Sequence, residues 1–306
     1  VIPHWLYFRP LRMQQPLWYW SVVALSAFGC LLAAIGITMI FTQFRWKRPL
    51  SLKRSVRYRG WQRVHYFSGA LFGVFALTWA FSGMLSVEPF AWTRAQGLDV
   101  PSDALSGGEF DLGAFPAVDH TSPAGMILAQ SKPVEVAYAQ ILGEPHFIMT
   151  LVSDGEPGRV LVHAEDFTVA ERFESDSLVR AMDAAAVDAS VVTAELLEDY
   201  DAYYYGRDAE ASLPVLRLKF DDPMATWYYV DPAAGRIVGR THRYSRIERW
   251  LFNGLHSLDF AFWYDKRPLW DIGMIALSIG ALLTSAIGMF YGFRRLLPAK
   301  VRNVRR

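Results

Sequence analysis

Seven histidines and one cysteine, Cys30, supply the imidazole and thiol ligands of this 306-residue chain, and they are unevenly placed. His65 lies in RGWQRVHYFSGALFGVFALTWAFSGMLSVEPF, residues 59–90, which carries no charge between Val64 and Val87. As a helix rising about 1.5 Å per residue, that stretch is long enough to cross a bilayer. A titratable group in a membrane span is costly to keep there, so His65 is a functional-site candidate. Gly69, Gly73, Ala76, Ala80 and Gly83 follow it at spacings of three and four, and so share one helix face. A face of small residues admits something flat or bulky: a second helix, as in small-xxx-small packing, or the edge of a porphyrin.

The other histidines separate by place. His120, His146, His163 and His242 fall in an acid-rich stretch and read as exposed or ordinary strand residues. His4 and His256 lie among aromatic residues that suit a membrane–water interface. A b-type haem in a membrane takes two axial ligands from facing elements, usually histidine. His4 and His256 are placed to meet at one level. His65 lies towards the opposite face without a histidine partner in this chain. Met39 and Met289 fall at about its depth, and a histidine from an upstream helix is the more natural mate. HExxH, GxSxG, a phosphate-cradling glycine loop and a Walker motif are missing from the sequence. One cysteine leaves no disulfide framework, no CxxC pair and no zinc pattern.

The elements that would position these residues follow from the charge pattern. A net charge of +1 hides a segregation. Residues 43–63 carry Arg45, Lys47, Arg48, Lys53, Arg54, Arg57, Arg59 and Arg63 without an acid, and the tail after Phe293 is equally basic. Nearly all acids fall between Glu88 and Glu248. By the positive-inside rule both basic segments are cytoplasmic, where they set topology and meet lipid headgroups rather than nucleic acid. The expected order is a lead-in and first span at 1–44, with the uncharged run from Leu17 to Phe44. A cytoplasmic loop at 45–60 and a second span at 61–87 follow. Residues 88–246 form an outer water-soluble domain. An outer interfacial or shallow re-entrant helix takes up 247–267, and a third span with a basic tail 268–306. The segment 247–264 is too short and too interrupted by Glu248, Arg249, Asn253, His256 and Asp259 to span. The chain begins at Val1 with no signal peptide in view, so it reads as part of a longer protein.

Within 88–246 the pattern predicts strands at Glu135–Ile141, His146–Val152, Arg159–His163, Leu213–Phe220, Thr226–Val230 and Arg236–Gly239. It also predicts a helix at Asp176–Ala186 capped by Asp176. RVLVHAEDFTVAERF (159–173) echoes TWYYVDPAAGRIVGR (226–240), which points to a duplicated module. Tyr200, Tyr203, Tyr204 and Tyr205, with Arg207, form either a contact surface or a folded-in aromatic edge.

Four stretches carry a resemblance. IPHWLYF (2–8), residues 59–90, WYYVDPAAGRIVG (227–239) and RWLFNGLHSLDFAFWYDKRPLWD (249–271) are similar to the PepSY-associated transmembrane family. Its members are bacterial inner-membrane proteins, many of them iron-regulated, with PepSY-type modules in the periplasm. Some are ferric-siderophore reductases with two b-type haems. The resemblance implies an α-helical membrane bundle of three spans plus an outer interfacial helix, carrying a periplasmic α+β PepSY-like domain. It implies haem b, one or two, on His65 and His256 and by extension His4, with Gly69 and Gly73 leaving room for a ring. Longer members have a further N-terminal span with its own histidine, which this sequence lacks. Two functions compete. One is haem-b electron transfer from a quinol or cytoplasmic donor to a periplasmic acceptor such as a ferric siderophore; no NAD or flavin fingerprint is present, so the donor is separate. The other is a non-enzymatic PepSY protein that binds or regulates a periplasmic partner. A transporter fragment is weaker, because uncharged spans offer little to a polar solute.

Overall fold

A computed structural model describes residues 6–45, 55–117, 125–126, 130, 132–153, 156–206 and 211–296; His4 and Arg207 lie outside them. In chain order the elements are α1 (Gln15–Gln43), α2 (Gly60–Leu85), β1 (Glu135–Ile141), β2 (Glu144–Ser153), β3 (Glu156–His163) and β4 (Val169–Ala170). Then come α3 (Ser175–Ala185), β5 (Val191–Leu197), β6 (Val215–Phe220), β7 (Trp227–Asp231), β8 (Arg236–Thr241), α4 (Arg243–Glu248) and α5 (Leu269–Leu296). The chain divides into a helical unit, Val1–Arg94 with Ile247–Arg306, and a β-rich unit, Ala95–Arg246.

In the helical unit α1, α2 and α5 are each long and apolar enough to cross a membrane. Leu25, Phe28 and Phe41 on α1, and Leu282, Leu283 and Phe290 on α5, stay more than half exposed. In water that would be an aggregation surface; against lipid it is the solvent-facing side, and the protein is membrane-associated. Pro16 opens α1, where its missing N–H is no loss. Asp271 in the first turn of α5, with Arg294 and Arg295 in its last, complements the helix dipole.

Small residues set the crossings. On one side of α2, Ala80 lies 3.5 Å from where a Gly29 side chain would begin, and Ile37 stands 3.5 Å from the same point at Gly73. Tyr66 donates its hydroxyl to Ile40 O at 2.7 Å. The matched positions run in opposite directions, so α1 and α2 are antiparallel. On the other side, the Phe72 ring lies flush on Gly280 of α5, and Thr284 reaches Gly69. After α4 the return segment is not one helix. A π-helical stretch, Arg249–Gly254, runs into Leu255–Ser257, the chain reverses at Leu258 in the left-handed region, and a single turn follows at Ala261–Tyr264.

The β-rich unit holds two antiparallel meanders, β1-β2-β3-β4 and β5-β6-β7-β8. The two echoing sequences are the last hairpin of each, β3–β4 and β7–β8. Helix α3 buries Leu178 and Met182 completely, against Val100, Leu105, Leu216, Leu218 and Val230. Each such side chain contributes about 1.5–3 kcal/mol. Asp176 falls in the first turn of α3, and Glu174 takes the N-cap place without a side-chain bond. A smaller core of Phe147, Met149, Val162 and Ala164 lies on the first sheet. The sheets are tied where Arg159 meets the buried Asp231 at 2.7 Å. There Gly235 turns with φ +55, and a Cβ would strike Ile141 at 2.5 Å.

Candidate functional site

The two histidines singled out in the membrane region both pack on α2, at opposite ends. His65 is on α2 itself. His256 reaches α2 from the return segment, with Nδ1 2.9 Å from Ser82 Oγ. Residues 65 and 82 are seventeen apart, about 25 Å along a helix.

At the His256 end the ring is fixed from several directions. The Ser82 hydroxyl, fully buried, donates its own proton to Trp79 O at 3.3 Å. The direction of the Ser82–His256 bond follows the tautomer of the imidazole. A histidine with one ring nitrogen held in this way is oriented, as ligand histidines are. Phe252 stacks on the imidazole at 5.3 Å between centroids. The segment bearing His256 is closed on itself. Arg249 donates to Asp259 O at 2.9 Å and lies 3.6 Å from its carboxylate, both side chains being nearly buried. Trp270 Nε1 donates to Ser257 O at 3.0 Å. Arg249 opens the π-helical stretch, and such bulges recur at functional positions. Trp79 Nε1, one turn from Ser82, is buried with no acceptor among the described residues.

At the other end the His65 ring lies against α5 at Gly288, where a Cβ would come within 3.0 Å of Cε1. Glycine at that position makes the space for the imidazole. His65 Nδ1 is buried and has no hydrogen-bond partner among the described residues. A buried, unpaired imidazole nitrogen costs about 1–3 kcal/mol unless something satisfies it. Met39 and Met289 are both about half exposed. Gly69 and Gly73 meet Ile40, Thr284 and Ile37, so the room on that face is taken up by helix packing.

A b-type haem can be tested against these surroundings. His256 has its ring oriented, and an unsatisfied Trp79 donor stands nearby; His65 has an orphaned buried nitrogen. The two imidazoles are of the residue type that holds such a group, but the Gly69 and Gly73 face expected to admit the ring is occupied by Ile37, Ile40 and Thr284. His4, the expected mate of His256, falls outside the described residues.

Sequence reading missed Ser82 and the Arg249–Asp259 closure, and it took Gly288 only as one of a stripe of small residues on the third span. A serine in an uncharged span was the available signal for the first. It also took His146 and His163 as ordinary strand residues; the structure brings them together across β2 and β3. Tyr204 is folded in, stacked on Tyr229 at 4.9 Å, and burial pushes its hydroxyl up to about 12. Tyr203, Tyr204 and Tyr205 line a pocket of about 570 Å³ with Tyr229, Arg236 and Arg240.

No family model, curated protein or solved structure matches this chain.

Proposed function

We propose that the chain is a haem-b membrane protein of the bacterial inner membrane. In this reading it carries electrons across the bilayer to a periplasmic acceptor, a ferric siderophore, and resembles the PepSY-associated transmembrane family. The observation that carries the proposal is the placement of His65 and His256 at opposite ends of α2, one against Gly288 with a buried Nδ1 that has no partner among the described residues, the other bonded to Ser82. His65 and His256 are the ligands, with His4 the mate of His256. Haem b supplies a one-electron couple when bound. Ser82 orients the His256 ring, Gly288 gives the His65 ring its place, and Gly69 and Gly73 bring the helices together. In this reading the β-rich unit is periplasmic and the basic segments cytoplasmic; the charge segregation supports that orientation. Quinol or a cytoplasmic protein is the donor.

The test is a reduced-minus-oxidised spectrum of the full chain in detergent. A b-type Soret band is expected. His65→Ala and His256→Ala each remove or shift part of it, and Ser82→Ala shifts it less, by altering the ligand's orientation. Well-expressed protein without the band, or unchanged spectra in both histidine variants, overturns the reading.

Topology is tested separately with Cys30→Ser as background. A cysteine at exposed Glu171 is expected to react with a membrane-impermeant maleimide in intact spheroplasts. Labelling only after lysis would reverse the orientation.

The second reading, a PepSY-like protein that binds a periplasmic partner, is favoured by the tyrosine-lined pocket. It predicts colourless protein whose partner binding is lost in Tyr203→Ala.

A further inference from the structure

The β-rich unit carries a cluster that the membrane reading does not use. We propose that Glu144, His146 and His163 form a binding site for a divalent first-row transition-metal ion. The proposal stands on the β-rich unit alone and is independent of haem.

The backbone builds the cluster. Glu144 and His146 are two apart on β2, so their side chains share one face of the sheet. His163 on β3 is the cross-strand partner of His146. The three ligand atoms lie within 4.8 Å of one another, and the His163 Nε2–Glu144 Oε2 distance is 3.7 Å. Bonds of about 2.0–2.2 Å to nitrogen and oxygen require them to close by roughly 1 Å. The Glu144 side chain, two-thirds exposed, is free to make most of that movement.

Two features separate the cluster from a chance meeting of polar side chains. First, both imidazoles have Nδ1 engaged elsewhere. His146 Nδ1–H donates to Glu144 O at 3.0 Å, and His163 Nδ1–H to Asp166 Oδ1 at 2.9 Å. Both Nε2 atoms therefore carry lone pairs. Asp166 is itself held, accepting from Thr168 N–H at 3.0 Å and Thr168 O–H at 2.8 Å. A ligand histidine backed by a carboxylate is a recurrent arrangement around metals, and loss of the backing group typically weakens binding about 10–100-fold.

Second, the scaffold is rigid on both sides. The β1–β2 turn, Leu142 and Gly143, has positive φ at both positions and is pinned by N–H bonds to Leu105 O and Ser106 O at 2.8 and 2.9 Å. The turn after His163 closes with His163 N–H on Thr168 O and Phe167 N–H on His163 O. The buried His146 ring is wedged edge-on between His163 and Phe173, at 5.1 and 4.9 Å.

Two imidazoles and one carboxylate, with one side open, are the ligands of catalytic zinc and of non-haem ferrous sites. The set is too nitrogen-rich for calcium or magnesium. The sequence reading excluded a zinc pattern on the cysteine count, but that count excludes only thiolate sites.

The test titrates chelator-washed full chain in detergent with Co²⁺, read by its visible ligand-field bands, and then displaces it with Zn²⁺. One high-affinity ion per chain is expected. Glu144→Gln weakens it about tenfold, His163→Ala at least about 100-fold, and Asp166→Asn, a positioning change, about 10–100-fold with altered bands but the same stoichiometry. Glu144 is exposed, so its variant folds and decides the matter even where His163→Ala does not. Absence of binding, or binding unchanged in Glu144→Gln and His163→Ala, overturns the site.

Discussion

Arg217→Met is expected to destabilise the β-rich unit by about 3 kcal/mol, towards the low end for breaking a buried ion pair. Arg217 sits on β6, 8% exposed, bonded to Asp201 and, at 2.7 Å, to Glu195. Its guanidinium also lies 5.1 Å from the Trp227 ring centre. Methionine keeps the packing volume but leaves the partly buried Asp201 with only the N–H groups of Tyr203 and Tyr204. The half-exposed Glu195 suffers less, which sets the figure at that end. The change also alters the response to acid. Burial acts to raise the Asp201 carboxyl, but those two N–H bonds and Arg217 together bring it below its ordinary value. A depressed carboxyl contributes stability above its unfolded pKa of about 3.9, and that contribution is lost as pH falls through the lower folded value. The wild-type unit therefore loses stability below about pH 4, and the variant loses less. Thermal unfolding of the full chain in detergent at pH 7 and at about pH 3 reads both effects. An unchanged midpoint at pH 7 would remove Arg217 from the account of this unit's stability.

Gly280→Leu is expected to separate α5 from α2 at a cost of about 3 kcal/mol. A Cβ at Gly280 would lie 2.3 Å from Phe72 Cζ and 2.4 and 2.5 Å from the flanking ring carbons. A leucine there overpacks a full ring, and overpacking costs about 1–3 kcal/mol or more. The damage extends to Gly288, two turns further along α5, where the His65 ring sits. Faster proteolysis of the solubilised chain within 269–296 is the expected readout. Phe72→Ala in the same chain should restore most of the resistance, because it removes the obstructing ring. Should the double variant be no better than Gly280→Leu alone, the close contact is not what joins these helices.

The three long helices were legible because a membrane span is written locally, as an uncharged run between basic or aromatic borders. Leu17–Phe44 became Gln15–Gln43, and Ile272–Phe293 became Leu269–Leu296. The strands were legible for the same reason, and the echo of 159–173 in 226–240 found the matching hairpins of two sheets. What stayed hidden depends on partners distant in sequence. Strand β5 carries Thr193 and Glu195 between apolar residues and is defined by its pairing with β6. Ser82 and His256 meet across 174 positions. His146 and His163 are ordinary until the register of β2 on β3 sets them opposite each other, and Asp166 gains its role only from the turn that follows. The return segment was expected as one helix, but the buried Arg249–Asp259 closure bends it at Leu258. Small-residue spacing identified the face of α2 and offered a second helix or a porphyrin edge as its occupant; side chains of α1 and α5 are what meet Gly69 and Gly73.

The helical unit is interrupted in the chain by the whole of the β-rich unit. The ribosome delivers α1 and α2 together and α5 only after Ala95–Arg246 has been made. At about 5–20 residues per second that interval is on the order of 10–30 s. Through it the α1–α2 hairpin lies in the bilayer with the Phe72 face turned to lipid and the His65 imidazole without the Gly288 wall. The α1–α2 contacts, the Tyr66–Ile40 bond and the seating of Ile37 on Gly73 among them, hold the hairpin in register until α5 arrives. Biogenesis therefore selects on the α1–α2 contact for persistence as an intermediate, and on the α2–α5 contact for late capture.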